Sequence, residues 1–238
     1  PPRSTLFPYT TLFRSACFGL PAERIQVISN FVDVARFTPP ERRDPQQLAA
    51  LFSQPGDGPV LFHVSNFRPI KRPLDLIEVL VRLRRSVAAR MVLVGDGPER
   101  AAVAERAAAL GLGDAIRFLG RRDDFEGMLG HADGFVLPSE TESFGVAALE
   151  AMAAGVPVFG YQVGGLPEVV ADGAGTLVPC GDVDALADAI LAGLRDRDAM
   201  GRAGRARAET HFGSDRIVAM YESYFRRVLA GRTTGGSQ

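Results

Sequence analysis

Short apolar runs alternate with helical patterns over residues 59–212, and this alternation constrains the fold more than any other feature. The runs have the length of buried strands and lie at 60–65, 91–94, 115–119, 134–137, 156–159 and 176–178. Between the first two runs, Leu74, Ile77 and Leu80 follow helical spacing, and glycine or proline residues mark most junctions. Alternation of this kind predicts an α/β fold, a doubly wound parallel sheet of the Rossmann-like type. Such sheets bind ligands at the carboxyl ends of their strands.

The composition limits the classes of function open to the chain. Of its 238 residues, 46% are hydrophobic and 23% are charged, as in an ordinary globular protein. The formal net charge of −1 gives no basic surface for nucleic acid, and no apolar run reaches the roughly 18 residues that a membrane span needs. The two cysteines, Cys17 and Cys180, lack metal-ligand spacing and favour a reducing, cytoplasmic location over a disulfide framework.

Residues 1–15 differ from everything that follows. The string TLFPYTTLFRS at 5–15 has no helical or strand periodicity. As a secretory signal it lacks a continuous apolar core and a small-residue cleavage site. The codons that encode the string resemble a common sequencing adapter. We therefore interpret 1–15 as a translated artefact, and we expect the coding sequence to continue upstream of Ala16.

The rest of the chain divides into three parts. Residues 16–58 read as a strand at 25–28 and a polar linker over 39–58, which would enter from a truncated preceding domain. Residues 59–212 form the predicted Rossmann-like domain. Residues 213–238 read as a C-terminal helix and tail.

The densest candidate for a binding site is the segment LPSETESFGVAALEAMAAGVP at 137–157. It predicts a helix at 144–154, whose first-turn amides would form a phosphate site. Glu150 lies one turn deeper in an apolar run, where a carboxylate needs a partner and could accept both hydroxyls of a ribose. Glu142 precedes the helix, where the sugar beyond the phosphates would lie. A solvent-facing Glu150 on an amphipathic helix is the competing interpretation.

A second candidate is the segment SNFRPIKR at 65–72, which follows the first strand of the domain. Arg68 can form paired hydrogen bonds with phosphate oxygens, and Lys71 supplies a compact positive charge. Cations at the carboxyl end of a strand suit a diphosphate leaving group. The competing interpretation is a solvated basic turn before the next helix.

The segment 137–157 resembles the carboxylate-pair motif of glycosyltransferase family 4, and the likeness extends over 16–229. This resemblance implies the C-terminal half of a two-domain GT-B enzyme. It also implies that Glu142 contacts the hydroxyls of the donor sugar and that Glu150 contacts the ribose. The backbone amides that would bind the sugar and the diphosphate belong to four residues of the predicted helix start, namely Phe144, Gly145, Val146 and Ala147.

The same resemblance assigns roles to the basic segment. Arg68, Lys71 and Glu142 would be the catalytic residues. Many members of the family carry Gly-Arg at the positions of Ser65 and Asn66, so Asn66 departs from the pattern, and Arg68 would substitute. The uracil would lie near the backbone of Arg121.

The strings NFRPIKR and SNFVDVARF resemble one subgroup of the family, which transfers N-acetylglucosamine from a UDP-sugar donor to L-malate at the start of bacillithiol synthesis. The resemblance implies a retaining, metal-independent transferase without a cofactor, whose acceptor pocket belongs to the N-terminal domain. Three alternatives stay open: another donor or acceptor within family 4, a UDP-sugar epimerase, and a non-catalytic nucleotide-sugar binding module. Apolar surface on 25–28 and 215–229 would favour a homo-oligomer.

Other polar residues read as structural. Asp96 fits a helix cap with Pro98 in the first turn, and Asp182 fits a cap better than a metal-binding Asp-x-Asp motif. His63 lies in a buried-strand pattern and reads as a core histidine. His131 and His211 read as caps or surface residues.

Overall fold

The computed structural model describes residues 26–53 and 56–233, which contain six strands and nine α-helices. The strands are β1 (Val60–Val64), β2 (Arg90–Val94), β3 (Ile116–Gly120), β4 (Gly134–Leu137), β5 (Val158–Tyr161) and β6 (Gly175–Val178). The helices are α1 (Pro45–Ala49), α2 (Pro73–Leu83), α3 (Arg100–Ala109), α4 (Glu126–Leu129), α5 (Val146–Ala153), α6 (Leu166–Val169), α7 (Val183–Gly193), α8 (Arg197–Phe212) and α9 (Ser214–Thr233). The artefact predicted at 1–15 and the residues Cys17 and Ile25 lie outside the described ranges.

All six strands are parallel and lie in the order β3-β2-β1-β4-β5-β6. Phe62 of β1 is in register with Val92 on one side and with Phe135 of β4 on the other. The chain adds β2 and β3 on one side of β1, and then returns to add β4, β5 and β6 on the other side. The doubly wound parallel sheet predicted from the alternation is therefore confirmed, and the carboxyl ends of β1 and β4 form its topological switch point.

Apolar side chains on both faces of the sheet form two core layers. One layer packs α5 and α8 against the sheet through residues such as Leu149 and Met152, and the other packs α2 and α7 through residues such as Leu80 and Ile190. Strands covered on both faces are apolar without alternation, which is why the sequence shows continuous runs. All six predicted strands are present, with ends that differ by at most two residues.

The strand predicted at 25–28 is wrong for its described part, because residues 26–28 form no strand. Among the described residues, the first pairing is an isolated parallel bridge between Val32 and Gly213. An apolar run becomes a strand only when it pairs with another strand, and in the described part of the chain residues 26–28 pair with none. This segment instead approaches α9, where the side chain of Arg227 donates a hydrogen bond to Gln26.

The stretch predicted as a polar linker at 39–58 contains α1. The Asp44 side chain accepts a hydrogen bond from the amide of Gln46 and caps the helix, while Leu48 and Phe52 are buried against the domain. Guanidinium groups of Arg90 and Arg117 lie over the Phe52 ring, with Cζ 4.8 and 5.6 Å from its centroid. The polar composition of residues 39–58 predicted a linker and did not indicate the cap at Asp44 or the burial of Leu48 and Phe52.

The C-terminal helix predicted within 213–238 is present as α9, Ser214–Thr233. Asp182 caps α7 by accepting a hydrogen bond from the amide of Ala185, as predicted. The last helix, α9, carries four exposed large apolar residues, Val218, Phe225, Val228 and Leu229. Within the described ranges, no helix is long and apolar enough to cross a membrane. The homo-oligomer stays a prediction.

Candidate functional site

A cavity of about 620 Å³ opens at the carboxyl ends of β1, β2 and β3. Its lining includes Asn66 after β1 and Arg121 after β3, two of the residues that the sequence assigned to the donor. Gly95 lines it too, with φ 117° and with the Ser65 carbonyl oxygen only 1.8 Å from where a Cβ would stand. A side chain at Gly95 would therefore clash with the Ser65 backbone, so this part of the lining requires glycine. The opening lies beside the switch point, where doubly wound sheets bind ligands.

A hydrogen-bonded chain beneath the basic segment starts at the buried ring of His63. Burial lowers the pKa of His63 to about 4, so the ring is neutral at physiological pH. Its Nδ1 lies 2.8 Å from the Val136 carbonyl oxygen and its Nε2 lies 2.8 Å from Ser65 Oγ. In the tautomer that satisfies both contacts, Nδ1–H donates to Val136 and the Ser65 hydroxyl donates to Nε2. The Ser65 hydroxyl in turn accepts a hydrogen bond from the Phe67 amide. His63 is thus a core residue, as predicted.

An ion pair joins the two strands at the switch point. Lys71, in the loop after β1, donates from Nζ to Glu142 Oε1 in the loop after β4, at 2.6 Å. The Ser139 hydroxyl donates to the same oxygen at 2.8 Å. Glu142 is only 9% exposed. Its second oxygen, Oε2, has no hydrogen-bond partner among the described residues, so the carboxylate is half satisfied.

The start of α5 lies next to this pair in sequence. Gly145 precedes the helix with φ 93° and ψ 53°, and no side chain caps it. The first-turn amides of an α-helix have no acceptor within the helix, so Val146 and Ala147 present donors toward any anion placed there. Phe144 is buried in a T-shaped contact with Phe212, with 5.6 Å between ring centroids. This contact anchors the chain immediately before the helix.

Glu150 is partly buried one turn into α5 and has no side-chain hydrogen bond or salt bridge within the described ranges. Burial raises the pKa of Glu150 to about 7, and the positive charge of Arg36 opposes this shift. The competing prediction of a fully solvent-facing Glu150 does not fit this environment. A desolvated carboxylate without a protein partner has the properties expected of a group that awaits a ligand.

Arg36 interacts electrostatically with Glu150 and donates a hydrogen bond to a residue that lines the cavity. No motif in the sequence indicated this role. Arg36 Nε donates to Glu126 Oε1 at 2.8 Å, and its Nη2 donates to the Asp123 carbonyl oxygen at 2.8 Å. Asp123 lines the cavity. Arg36 lies 90 residues from Glu126 in sequence, between the strand predicted at 25–28 and the linker predicted at 39–58, so no local pattern signals the contact.

Arg68, one of the predicted catalytic residues, has fewer contacts than Lys71. Arg68 follows β1 with an exposed side chain that forms no hydrogen bond or ion pair in the described part of the chain. Lys71, which the sequence analysis already assigned to the site, is the only lysine among the 27 Lys and Arg residues. The Asp-x-Asp sequence at 182–184 has a structural role. Asp182 caps α7, and Asp184 forms an ion pair with Arg82.

Two structural predictions are wrong. Asp96 does not cap a helix, because its side chain accepts from the neighbouring Gly97 amide and α3 begins later, after Glu99. His131 is neither a cap nor a surface residue. It is buried, and its Nδ1 accepts from the amide of Asp44, in the segment that the sequence presented as a linker.

Comparisons with known proteins agree with this architecture. The sequence model of glycosyl transferases group 1 matches residues 48–209. N-acetyl-alpha-D-glucosaminyl L-malate synthase of Bacillus anthracis is 36% identical over 219 residues, which cover 90% of this chain and 57% of the synthase. The chain thus spans little more than half the length of that relative.

Solved structures show the same relationship. Anabaena HepE, solved in complex with UDP and glucose, superimposes with a TM-score of 0.78 at 26% identity, covering 91% of this chain and 60% of HepE. The C-terminal domain of a glycosyl transferase group 1 protein (LpcC) from Francisella tularensis is covered over 99% of its length and 77% of this chain, with a TM-score of 0.66 at 25% identity. The six-stranded sheet is that of the C-terminal half of a GT-B enzyme, and the chain belongs to the glycosyl transferases group 1 family of hexosyltransferases.

Proposed function

We propose that the chain holds the donor site of a retaining transferase that moves N-acetylglucosamine from UDP-N-acetylglucosamine to the hydroxyl of L-malate. The observation that carries the donor site is the pair of incompletely satisfied carboxylates, Glu142 and Glu150, on either side of the start of α5. The choice of sugar and acceptor rests on the similarity to the synthase of Bacillus anthracis.

The proposed diphosphate position lies at the first turn of α5. Amides of Val146 and Ala147 would donate to its oxygens, while the positive charges of Lys71 and Arg68 would balance the charge that develops as the sugar leaves. Lys71 already lies at this point of the sheet, held by Glu142. Stabilisation of the leaving group by fixed donors needs no metal ion and no cofactor.

The proposed sugar and ribose contacts use the two carboxylates differently. Oε1 of Glu142 is occupied by Lys71 and Ser139, which leaves Oε2 for a sugar hydroxyl, and the amides of Phe144 and Gly145 would complete that subsite. Glu150 would accept the ribose diol. The uracil would occupy the cavity that Asn66 and Arg121 line. Each moiety of the donor therefore has a group of matching chemistry along one edge of the sheet.

In this proposal the acceptor site lies in a second domain, which corresponds to the part of the relatives that this chain does not span. Opposed to a second domain, the donor would be shielded from water, and charges would act at a lower dielectric than in the open cleft. We therefore expect this chain alone to bind UDP weakly and to transfer no sugar to L-malate. Joined to the upstream domain, it should catalyse the transfer.

Calorimetric titration of the chain with UDP and GDP tests the donor site. Binding of UDP with weaker or no binding of GDP supports the proposal, and the absence of UDP binding contradicts it. Incubation of the two-domain enzyme with UDP-N-acetylglucosamine then separates the alternatives. Transfer to L-malate supports the proposed reaction, transfer only to another acceptor or from another donor identifies a different family member, an epimer formed without acceptor indicates an epimerase, and binding without turnover indicates a sensor.

A further inference from the structure

The segment 65–72, which joins β1 to α2, is constrained near both of its ends. Phe67 has φ 44° and Arg72 has φ 45°, the left-handed conformation that residues with a Cβ rarely adopt. Such conformations persist only where surrounding contacts hold them. At Phe67 the contacts are the Ser65 hydroxyl and the His63 ring. At Arg72, directly after Lys71, a different set of contacts is present.

Three side chains contact Arg72: Asp75, Tyr161 and, at a longer distance, Glu140, whose Oε2 lies 4.0 Å from Arg72 Nη1. Arg72 Nε donates to Asp75 Oδ2 at 2.8 Å and its Nη2 donates to Asp75 Oδ1 at 3.3 Å, a two-pronged contact with one carboxylate. The Tyr161 hydroxyl donates to the same Oδ2 at 2.6 Å, and the Arg72 guanidinium carbon lies 6.0 Å from the centre of the Tyr161 ring. Tyr161 is fully buried at the end of β5, so it offers a fixed point of attachment.

The backbone carries this constraint to the adjacent residue. The amides of Lys71 and Arg72 donate to the carbonyl oxygens of Arg68 and Pro69, each at 2.8 Å, and form a tight 3₁₀ turn. The Arg72 carbonyl then accepts from the Asp75 amide at 3.0 Å, which begins α2. Lys71 therefore lies between a closed turn and Arg72, whose side chain contacts Asp75 and Tyr161.

We propose that Tyr161 and Asp75 are positioning residues for Lys71: by holding Arg72 in the left-handed conformation, they aim the Lys71 ammonium at the diphosphate position. This inference rests on the proposed donor site. Both side chains act through Arg72, so neither needs to touch the donor. Burial and the adjacent Asp75 carboxylate raise the pKa of Tyr161, which keeps its hydroxyl protonated as a donor.

The chain offers a selective probe, since Lys71 is its only lysine. A small acylating ester modifies amines, so it reports on Lys71 alone, with the amino terminus of the chain as the internal reference. Loss of the Tyr161 hydroxyl should loosen the turn and expose the ammonium, raising the Lys71 acylation rate in Tyr161→Phe about three- to tenfold relative to the amino terminus. Asp75→Asn should act in the same direction. Tyr224→Phe is the matched control, because Tyr224 also lies beneath an arginine, Arg227, in α9.

Titration with UDP supplies the second arm. Tyr161→Phe should weaken UDP binding several-fold when Lys71 is present and should have no further effect in a Lys71→Met background. A residue that only stabilises the fold would weaken binding equally in both backgrounds, and that result would overturn the proposal. Unchanged acylation of Lys71 in both Tyr161→Phe and Asp75→Asn would also overturn it. If the unaltered chain fails to bind UDP, the proposed function fails, while the acylation arm still decides whether Tyr161 and Asp75 position Lys71. Circular dichroism of each variant confirms that it folds.

Discussion

Two shielded carboxylates, one near the amino ends of the strands and one near their carboxyl ends, differ in the hydrogen bonds that they form. Asp133, immediately before β4 at the amino edge, is 4% exposed and accepts from the Val60 amide at 2.8 Å, from Arg197 at 2.8 Å and from Arg43. Glu150, which follows β4 on α5, is also shielded but has no hydrogen bond or salt bridge with the described residues. Asp133 therefore uses its oxygens within the fold, whereas Glu150 can accept hydrogen bonds from a ligand.

The difference separates a structural role from a ligand-binding role. Burying an unpaired polar group costs stability, so the fold gains nothing from Glu150 itself. The unusual backbone angles of Phe67 and Arg72 lie on the same carboxyl edge as the cavity and the half-satisfied Glu142. Glu142 and Glu150 thus carry unused acceptor atoms where the proposed donor would bind. The buried Nε and Nη1 of Arg90, at the amino edge, also lack hydrogen bonds within the described ranges, but they belong to a guanidinium that lies over the Phe52 ring.

The largest expected effect is on stability, at Asp133. Asp133→Ala leaves the Val60 amide and two arginines without their acceptor, and we expect the free energy of unfolding to fall by about 2–4 kcal/mol. Urea unfolding followed by circular dichroism measures the change. Asp133→Asn, which keeps one acceptor oxygen, should lose less. A loss below that of an ordinary surface substitution would remove the contrast with Glu150.

Glu150→Ala should behave in the opposite way. It removes a desolvated group without a partner, so stability should be unchanged or higher, while UDP affinity should fall by about 1–3 kcal/mol because the ribose diol loses its acceptor. Calorimetry and urea unfolding of the same preparation test both halves. Reduced stability together with unchanged affinity would assign Glu150 to the fold.

The protonation of Glu150 gives a pH dependence of stability with a definite sign. Its pKa is raised from 4.5 to about 7 in the folded chain, so between these values the unfolded chain ionises first and stability falls as the pH rises. Glu150→Gln lacks this loss. The variant should gain on the parent between pH 4.5 and 7, reaching about 1–2 kcal/mol after allowance for the partial exposure of the side chain. A difference that does not change with pH would contradict the assignment.

Ligand binding should reverse this preference. An ionised carboxylate is the stronger acceptor for a diol, so the affinity for UDP-N-acetylglucosamine should rise from pH 6 to 8 and then level off, by about tenfold at most. The sugar nucleotide is the better ligand here, because its diphosphate does not titrate near neutral pH. Glu150→Gln should bind with an affinity that is flat across this range.

The smallest expected effect concerns Arg68. Its side chain is exposed, so Arg68→Gln should weaken UDP binding by only about 0.3–1 kcal/mol at low salt, and the difference should shrink as the ionic strength rises. Arg202→Gln is the control, since Arg202 is an exposed arginine on α8. An effect of Arg68→Gln as large as that of Glu150→Ala would place the diphosphate closer to Arg68 than we propose.

The sequence predicted the sheet because parallel strands covered on both faces leave continuous apolar runs. It also placed Lys71 and Glu142 after two of the predicted strands, and the structure brings them into contact. The helix expected from residue 144 begins at Val146, because Gly145 adopts a left-handed conformation that periodicity does not reveal.

Long-range pairing is what the sequence could not provide. Arg36 reaches Glu126 across 90 residues, and Tyr161 reaches Asp75 across 86. Neither pair leaves a local signature, because each partner has an ordinary neighbourhood in the chain. The strand predicted at 25–28 failed for the related reason that strand formation depends on pairing with another strand, and in the described part of the chain residues 26–28 pair with none.

A crystal structure of the chain with UDP would show whether Glu142, Glu150 and the first turn of α5 form the donor site. We expect the diphosphate at the first turn of α5, the ribose hydroxyls within hydrogen-bond distance of Glu150, and the uracil in the cavity beside Asn66 and Arg121. UDP bound elsewhere, or at this edge with Glu150 still without a partner, would contradict this expectation.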